Sequence, residues 1–329
     1  MRIAVLGAGA VGARAARQLA SSDGVDEVVV ADLDRARAAA VVESIADRRV
    51  VAAGVGDWCD GASVGVLATP RGEHRSWAER LLEQGSHVVS VVDDVDEVQA
   101  LLDLDAEARV RERSVFVGAG FAPGLTCVLA AHGATTFDQV DEVHVAKVGT
   151  AGPACARAHH DAFAGEAIDW RDGAWQRRRG GSGRELCWFP DPVGGQDCYR
   201  AAVPDATLLV GAFPDASRIT ARVGATRRDR LTTGLPMLRK PHPEGTIGAV
   251  RVELRGRRDG AREVSVLGAM DRPGVAAGCV AAVAAVWAGA GLARRVGAAG
   301  LAELVEPVPF LTELARRGVR AAVFDGVPG

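Results

Sequence analysis

The chain opens on RIAVLG, an apolar run of strand length, and continues into VGARAARQLASS, where Val11, Ala15 and Leu19 recur at helical spacing. The alternation then repeats. DEVVVAD, RVVAAGV, ASVGVLATP and SHVVSVV read as further strands, RGEHRSWAERLLEQG and DDVDEVQALLDLDAEARVRER as single helices, and SVFVG as a sixth strand. Strand and helix in turn predict a parallel, doubly wound sheet, because parallel neighbours need crossovers that cover both faces. Past residue 135 the period changes. DEVHVAKVG alternates as a half-buried strand, Asp172-Gly173 inside IDWRDGAWQRRRGG marks a hairpin, and SRITARVG and AVRVELRGRRDGAREVSVLGA add strands. The pattern predicts an α/β chain in three pieces. A parallel-sheet domain spans 1–122, an α+β domain with a largely antiparallel sheet spans 123–270, and 271–329 forms helices that return to the first domain. The stretch VAAGCVAAVAAVWAGAGL reads as one such helix, buried against protein, with small side chains that permit close approach.

Between the first strand and helix lies Gly7-Ala8-Gly9-Ala10-Val11-Gly12, the GxGxxG spacing. Gly7 makes the tight turn, Gly9 lets backbone approach a pyrophosphate, and Gly12 lets the helix pack closely on the strand. The helix N-terminus then offers free N–H groups to the phosphates, which makes Ala10 and Val11 candidates as well. Asp32 closes the second strand about twenty residues on, where a carboxylate accepts hydrogen bonds from the adenosine ribose. This domain is therefore expected to be a Rossmann domain binding a nicotinamide dinucleotide. Asp32 argues for NAD, since it repels a 2′-phosphate, while Arg35 and Arg37 argue for NADP; NAD is expected, with NADP the alternative. Ala68-Thr69-Pro70 ends the fourth strand at the ligand-binding edge, with Thr69 able to touch the nicotinamide half.

A second glycine turn, GAGFAPGLT, follows the sixth strand. Gly118, Gly120 and Phe121 are expected to line the floor near the nicotinamide, with a helix starting at Pro123, where no N–H is needed. LGAGAVG, VLATP, HVVSVVDD and above all GAGFAPGLT resemble the saccharopine dehydrogenase-like family, which includes lysine dehydrogenases and saccharopine or carboxynorspermidine reductases. GAMDRPGVAAGCVAAVAAVW resembles, more loosely, that family's helix returning to the nucleotide domain. The resemblance implies an NAD(P)-dependent oxidoreductase moving a hydride at a carbon–nitrogen bond of an amino acid or its imine. It breaks down in the middle domain, where Lys147-Val148-Gly149-Thr150-Ala151-Gly152-Pro153 stands in place of a glycine-glycine-leucine-proline turn.

The middle domain holds the candidate proton-handling and substrate groups. His159 and His160 point in different directions on a helix, so one at most serves the chemistry; a histidine near neutrality exchanges protons with an imine or carbonyl. Lys147 can orient a carboxylate, and Tyr199, the chain's only tyrosine, can donate a proton or simply pack. Arg157, Arg184, Arg200 and Arg228 offer guanidinium groups for a substrate carboxylate, or else belong to a solvated arginine-rich face. No metal site is expected, because nothing completes His159-His160-Asp161.

A net charge of −3 gives no electrostatic case for nucleic acid. Six scattered cysteines without a CxxC pair and no leader-like opening point to a cytoplasmic protein with no membrane association, and a homodimer is expected. Two rivals stay open: a coenzyme-binding regulator or scaffold without turnover, and a carbonyl or sugar dehydrogenase of the related two-domain type.

Overall fold

A computed structural model describes residues 1–233, 235, 237 and 240–324, with the side chains of 228, 231 and 322–324 outside that description. The chain divides into two units, Met1–Gly124 with Gly274–Glu306, and Leu125–Pro273 with Pro307–Gly329.

The first unit is built on β1 (Arg2–Leu6), β2 (Glu27–Ala31), β3 (Val50–Ala53), β4 (Val64–Leu67), β5 (His87–Ser90) and β6 (Ser114–Val117). A late strand, Gly297–Gly300, completes a seven-stranded sheet in the order Gly297–Gly300, β6, β5, β4, β1, β2, β3, and every pairing is parallel. Ile3, Ala4 and Val5 have no exposed surface, because helices cover the sheet and valine-rich strands suit burial on both faces. Strand order reverses between β1 and β4, and such a switch opens a crevice at the carboxyl ends of the strands.

Two details depart from the sequence reading. The helix expected after β5 is split into Val95–Leu102 and Asp105–Val110. Gly297–Gly300, GAAG, pairs with β6 although it has none of the β-branched residues that mark strands. The helix Pro273–Gly289 returns to this unit as expected. A Cβ on its Gly278 would lie 2.5 Å from Arg14 Cβ and 2.9 Å from both the Ala15 nitrogen and the Val11 carbonyl oxygen, so the bare Gly278 backbone packs closely against the helix Gly12–Ala20. Among the described residues no helix is long and apolar enough to cross a membrane.

The second unit contains β7 (Gln139–Val148), β8 (Glu166–Arg171), β9 (Ala174–Arg179), β10 (Glu185–Trp188), β11 (Gly195–Tyr199), β12 (Arg218–Gly224), β13 (Gly248–Arg258) and β14 (Ala261–Asp271). With Gly297–Gly300 as β15 in the chain's count, the last strand is β16 (Ala321–Phe324). The main path runs β10, β11, β12, β7, β13, β14, β16, with β8 and β9 joined to β12. Among the described strands of this unit only β7 and β12 pair in parallel. The expected hairpin forms between β8 and β9, with Asp172 at φ 47° and Gly173 at φ 81°, the two positive angles that a tight two-residue turn requires. The helix Leu125–Ala134 lies on β13 and β14, its Gly133 leaving no room for a side chain against Leu254 and Leu267.

The tail differs from the expected return to the first domain. Helix Pro307–Arg316 packs on helix Leu125–Ala134, and β16 pairs with β14. Phe310 and Leu314 supply a buried stripe, and β16 covers what would otherwise be an open sheet edge.

Candidate dinucleotide and substrate sites

The first glycine turn sits at the switch point. Gly7 has φ 104°, and a Cβ there would lie 2.5 Å from the Ala68 carbonyl oxygen at the end of β4. A Cβ on Gly12 would overlap the Gly7 carbonyl oxygen, so β1 and the helix Gly12–Ala20 meet through bare backbone. Gly9 is different in kind: a Cβ there meets nothing within 4 Å. The chain itself does not demand glycine at 9. It leaves room beside the start of the helix Gly12–Ala20, whose N-cap, Val11, makes no side-chain hydrogen bond and whose Ala13 N–H donates to the Gly9 carbonyl at 3.0 Å. These residues fit a dinucleotide pyrophosphate.

Asp32 follows β2 with its carboxylate held by backbone. Oδ2 accepts from the Ala8 N–H at 2.8 Å and Oδ1 from the Asp34 N–H at 2.9 Å. Asp34 in turn caps the helix Arg35–Ile45, accepting from the amides of residues 36 and 37. The arginine beside Asp32 is Arg37, with Nη1 3.7 Å from Oδ2. Arg35, the other arginine in question, extends toward Gly54 after β3.

At the ends of β4 and β5 the structure reveals a residue the sequence reading passed over. His74, first residue of helix His74–Glu83, has no exposed surface. Its Nε2 lies 3.0 Å from the Thr69 carbonyl oxygen and 3.1 Å from Thr69 Oγ1, and its Nδ1 is 2.8 Å from Ser90 Oγ. Its backbone N–H donates to Glu97 Oε1 at 3.2 Å, and Arg71 pairs with Asp94 at 3.3 Å. The loops after β4 and β5, including Thr69 and Pro70, are thereby tied together. In the sequence, RGEHRSW offers only a histidine at a polar helix start.

The second glycine turn is filled by its own chain. Ala119 donates to the Ser90 carbonyl at 2.7 Å and Gly120 to the Pro123 carbonyl at 3.0 Å. Gly124, at φ 123°, could carry no Cβ without overlapping Gly120 and lying 2.7 Å from the Gly118 carbonyl oxygen. Gly118, Gly120 and Phe121 are all buried; Gly118 takes a φ of 69°, and the close approach of Gly120 and Gly124 accounts for the other two glycines. It also moves the helix start from the expected Pro123 to Leu125.

In the second unit several singled-out residues meet. His159 packs edge to face on Phe163, with ring centroids 5.3 Å apart, and Phe163 shares a buried cluster with Tyr199. The Arg230 guanidinium stacks 4.2 Å from the centroid of the Tyr199 ring. Burial pushes the His159 imidazole down to about 4; the positive charge of Lys147 acts in the same direction, and Asp229 opposes it. His159, Lys147, Tyr199, Asp229 and Arg230 thus form one neighbourhood. His160 faces elsewhere, its Nε2–H donating to the Leu235 carbonyl at 3.0 Å.

The proposed carboxylate-binding arginines do not gather there. Arg157 is exposed on the helix Pro153–Ala162. Arg184 pairs with Asp197 at 2.9 Å. Arg200 lies 3.4 Å from Asp169, whose carboxylate is also gripped by buried Arg222 at 3.0 and 3.2 Å. The side chain of Arg228 lies outside the described residues. Arg230 went unremarked as a ring-stacking residue because the stack depends on an element distant in sequence. Among the described residues no cluster of three or more His, Cys, Asp or Glu could hold a metal ion.

Residues 3–111 match the family described as the saccharopine dehydrogenase NADP binding domain. The fold is similar to that of apo histidine-tagged saccharopine dehydrogenase (L-Glu forming) from Saccharomyces cerevisiae, with a TM-score of 0.71 at 15% identity over 98% of this chain and 100% of that one. It is also similar to amine dehydrogenase from Mycobacterium smegmatis, with a TM-score of 0.55 at 11% identity over 93% and 96% of the respective chains. Residues 3–111 thus match the saccharopine dehydrogenase NADP binding domain in sequence, and the fold of the chain is similar to that of saccharopine dehydrogenase.

Proposed function

We propose that this chain is an NAD(P)-dependent oxidoreductase moving a hydride at a carbon–nitrogen bond of a small, carboxylate-bearing amine or its imine. The observation that carries the reading is the first glycine turn, where Gly9 leaves space that neighbouring residues do not fill, beside a helix start whose N-cap makes no side-chain hydrogen bond. The bound coenzyme supplies the carbon that accepts or donates hydride. Asp32, fixed by two backbone amides, is placed to accept from the ribose hydroxyls and disfavours a 2′-phosphate. Arg37 offers such a phosphate some attraction, so NAD is the preferred coenzyme and NADP an accepted one.

His159 is the proton acceptor in this reading. Burial and then the Lys147 charge hold its pKa to about 4, so the ring is neutral but a weak base, and this reading requires a bound substrate carboxylate beside Lys147 to raise it before it takes the proton an amine loses. Lys147 and Arg230 supply positive charge for the substrate carboxylate. The choice of a carbon–nitrogen bond rests on analogy with the saccharopine and amine dehydrogenases that share the fold. A homodimer belongs to the same reading, covering exposed Leu186 and Trp188 on β10; sedimentation as a monomer removes that part.

Calorimetric titration with both coenzymes, followed by initial rates on amino acids, amines, and keto acids mixed with amines, tests the reading. Expected are tighter binding of NAD than NADP and turnover of at least one amine. Turnover confined to sugars or hydroxy compounds overturns the carbon–nitrogen assignment, and tight binding without turnover of any compound favours a regulator.

A further inference from the structure

We infer that His74 is a positioning residue for the nicotinamide half of the coenzyme, acting through the hydroxyl of Thr69; this rests on the dinucleotide reading above. The hydrogen-bond partners determine its tautomer. Nε2 lies 3.0 Å from the Thr69 carbonyl oxygen, which can only accept, so Nε2 carries the hydrogen. In the neutral ring Nδ1 is then an acceptor, and Ser90 Oγ, 2.8 Å away, donates to it. Ser90 Oγ accepts in turn from the Val92 N–H at 3.3 Å. The opposite tautomer would set a nitrogen lone pair against the carbonyl oxygen.

The same Nε2–H is 3.1 Å from Thr69 Oγ1. Sharing it makes the threonine hydroxyl an acceptor toward His74, so its own hydrogen must point elsewhere. His74 therefore sets Thr69 as a donor, and Thr69 follows β4 at the switch point, next to the Ala68 carbonyl that packs on Gly7. The coenzyme's nicotinamide end carries a carboxamide oxygen able to accept such a bond. Complete burial of the ring, together with the ties from His74 N–H to Glu97 and from Arg71 to Asp94, keeps this arrangement from relaxing.

Affinities for NADH and for ADP-ribose, which retains the adenosine and pyrophosphate but lacks nicotinamide, separate positioning from general support of the fold. The expected result is that His74→Leu and Thr69→Val each weaken NADH binding about five- to tenfold, the worth of one lost hydrogen bond, while ADP-ribose affinity stays within about twofold. His74→Gln, whose amide N–H can replace Nε2–H, keeps NADH affinity within about threefold of wild type. The double variant is expected to bind NADH no more weakly than the weaker single variant. Equal loss of both ligands in His74→Leu, or NADH binding by Thr69→Val at the wild-type level, overturns the inference. The second criterion decides the matter even where His74→Leu fails to fold. Wild-type protein that binds neither ligand overturns the dinucleotide reading, and this inference with it; wild-type protein that binds both, with variants unchanged, overturns this inference alone.

Discussion

The turns at Gly7–Gly12 and Gly118–Gly124 both follow buried parallel strands of one sheet, and both are rich in glycine. Their glycines answer different demands. Gly124 is required by the chain itself, since a side chain there would run into the backbone of Gly120 and Gly118. Gly9 has nothing of the protein within 4 Å of where a Cβ would stand, so the chain's own packing does not require a glycine there. The first turn mixes both kinds, with Gly7 and Gly12 needed for packing and Gly9 bordered by open space, where the proposed dinucleotide would approach. The second turn is closed on itself.

Substitution puts that contrast at risk, beginning with the largest effect. Gly124→Ala combines a positive φ with backbone overlap and is expected to cost about 3–5 kcal/mol, read as a collapse of the denaturant midpoint. Gly9→Ala is expected to keep stability within about 1 kcal/mol yet weaken coenzyme binding by about tenfold or more in calorimetry. If it unfolds the protein as Gly124→Ala does, the distinction between the turns is lost.

Gly120→Ala tests the second turn more gently. Its Cβ would lie 3.2 Å from the Pro123 carbonyl oxygen, so a cost of about 1 kcal/mol is expected with coenzyme affinity unchanged. A loss of affinity as large as that of Gly9→Ala would make the second turn part of the cradle as well.

The smallest expected effect concerns His87, which is half-buried at the start of β5. Burial and then the Arg113 charge push its pKa down to about 4, and its Nδ1 accepts the Ser114 N–H at 3.1 Å. Between about pH 6.5, the unfolded value, and about pH 4 the unfolded chain binds the extra proton, so stability rises with pH across that window and is lost on acidification. His87→Asn keeps an acceptor without titrating and is expected to flatten this slope in denaturant melts, leaving coenzyme affinity at neutral pH untouched.

What could be read from the sequence was local. β1 and β2 are apolar runs after a single charged first residue, β4 is VGVL, and the GxGxxG spacing and Asp32 lie within one βαβ stretch, so periodicity and motif reach them together. β15 escaped because GAAG pairs through backbone alone, its neighbours supplying the burial. His74 escaped for a similar reason: its partners Thr69 and Ser90 are contributed by the ends of two strands, and only their pairing makes the histidine more than a polar helix residue. In the second unit the candidate types were visible, but which arginines were already matched to Asp169 and Asp197 depended on strand register.

Gly278 touches the helix Gly12–Ala20 from a point far downstream, and β15 seals the flank of β6. During synthesis the amino-terminal layers must therefore wait until nearly the whole polypeptide has emerged before they can close. Folding begun at the ribosome would leave an uncovered helix and a bare strand margin, both apolar, for as long as translation of the intervening unit takes, which makes this interval the period of greatest exposure to misassociation.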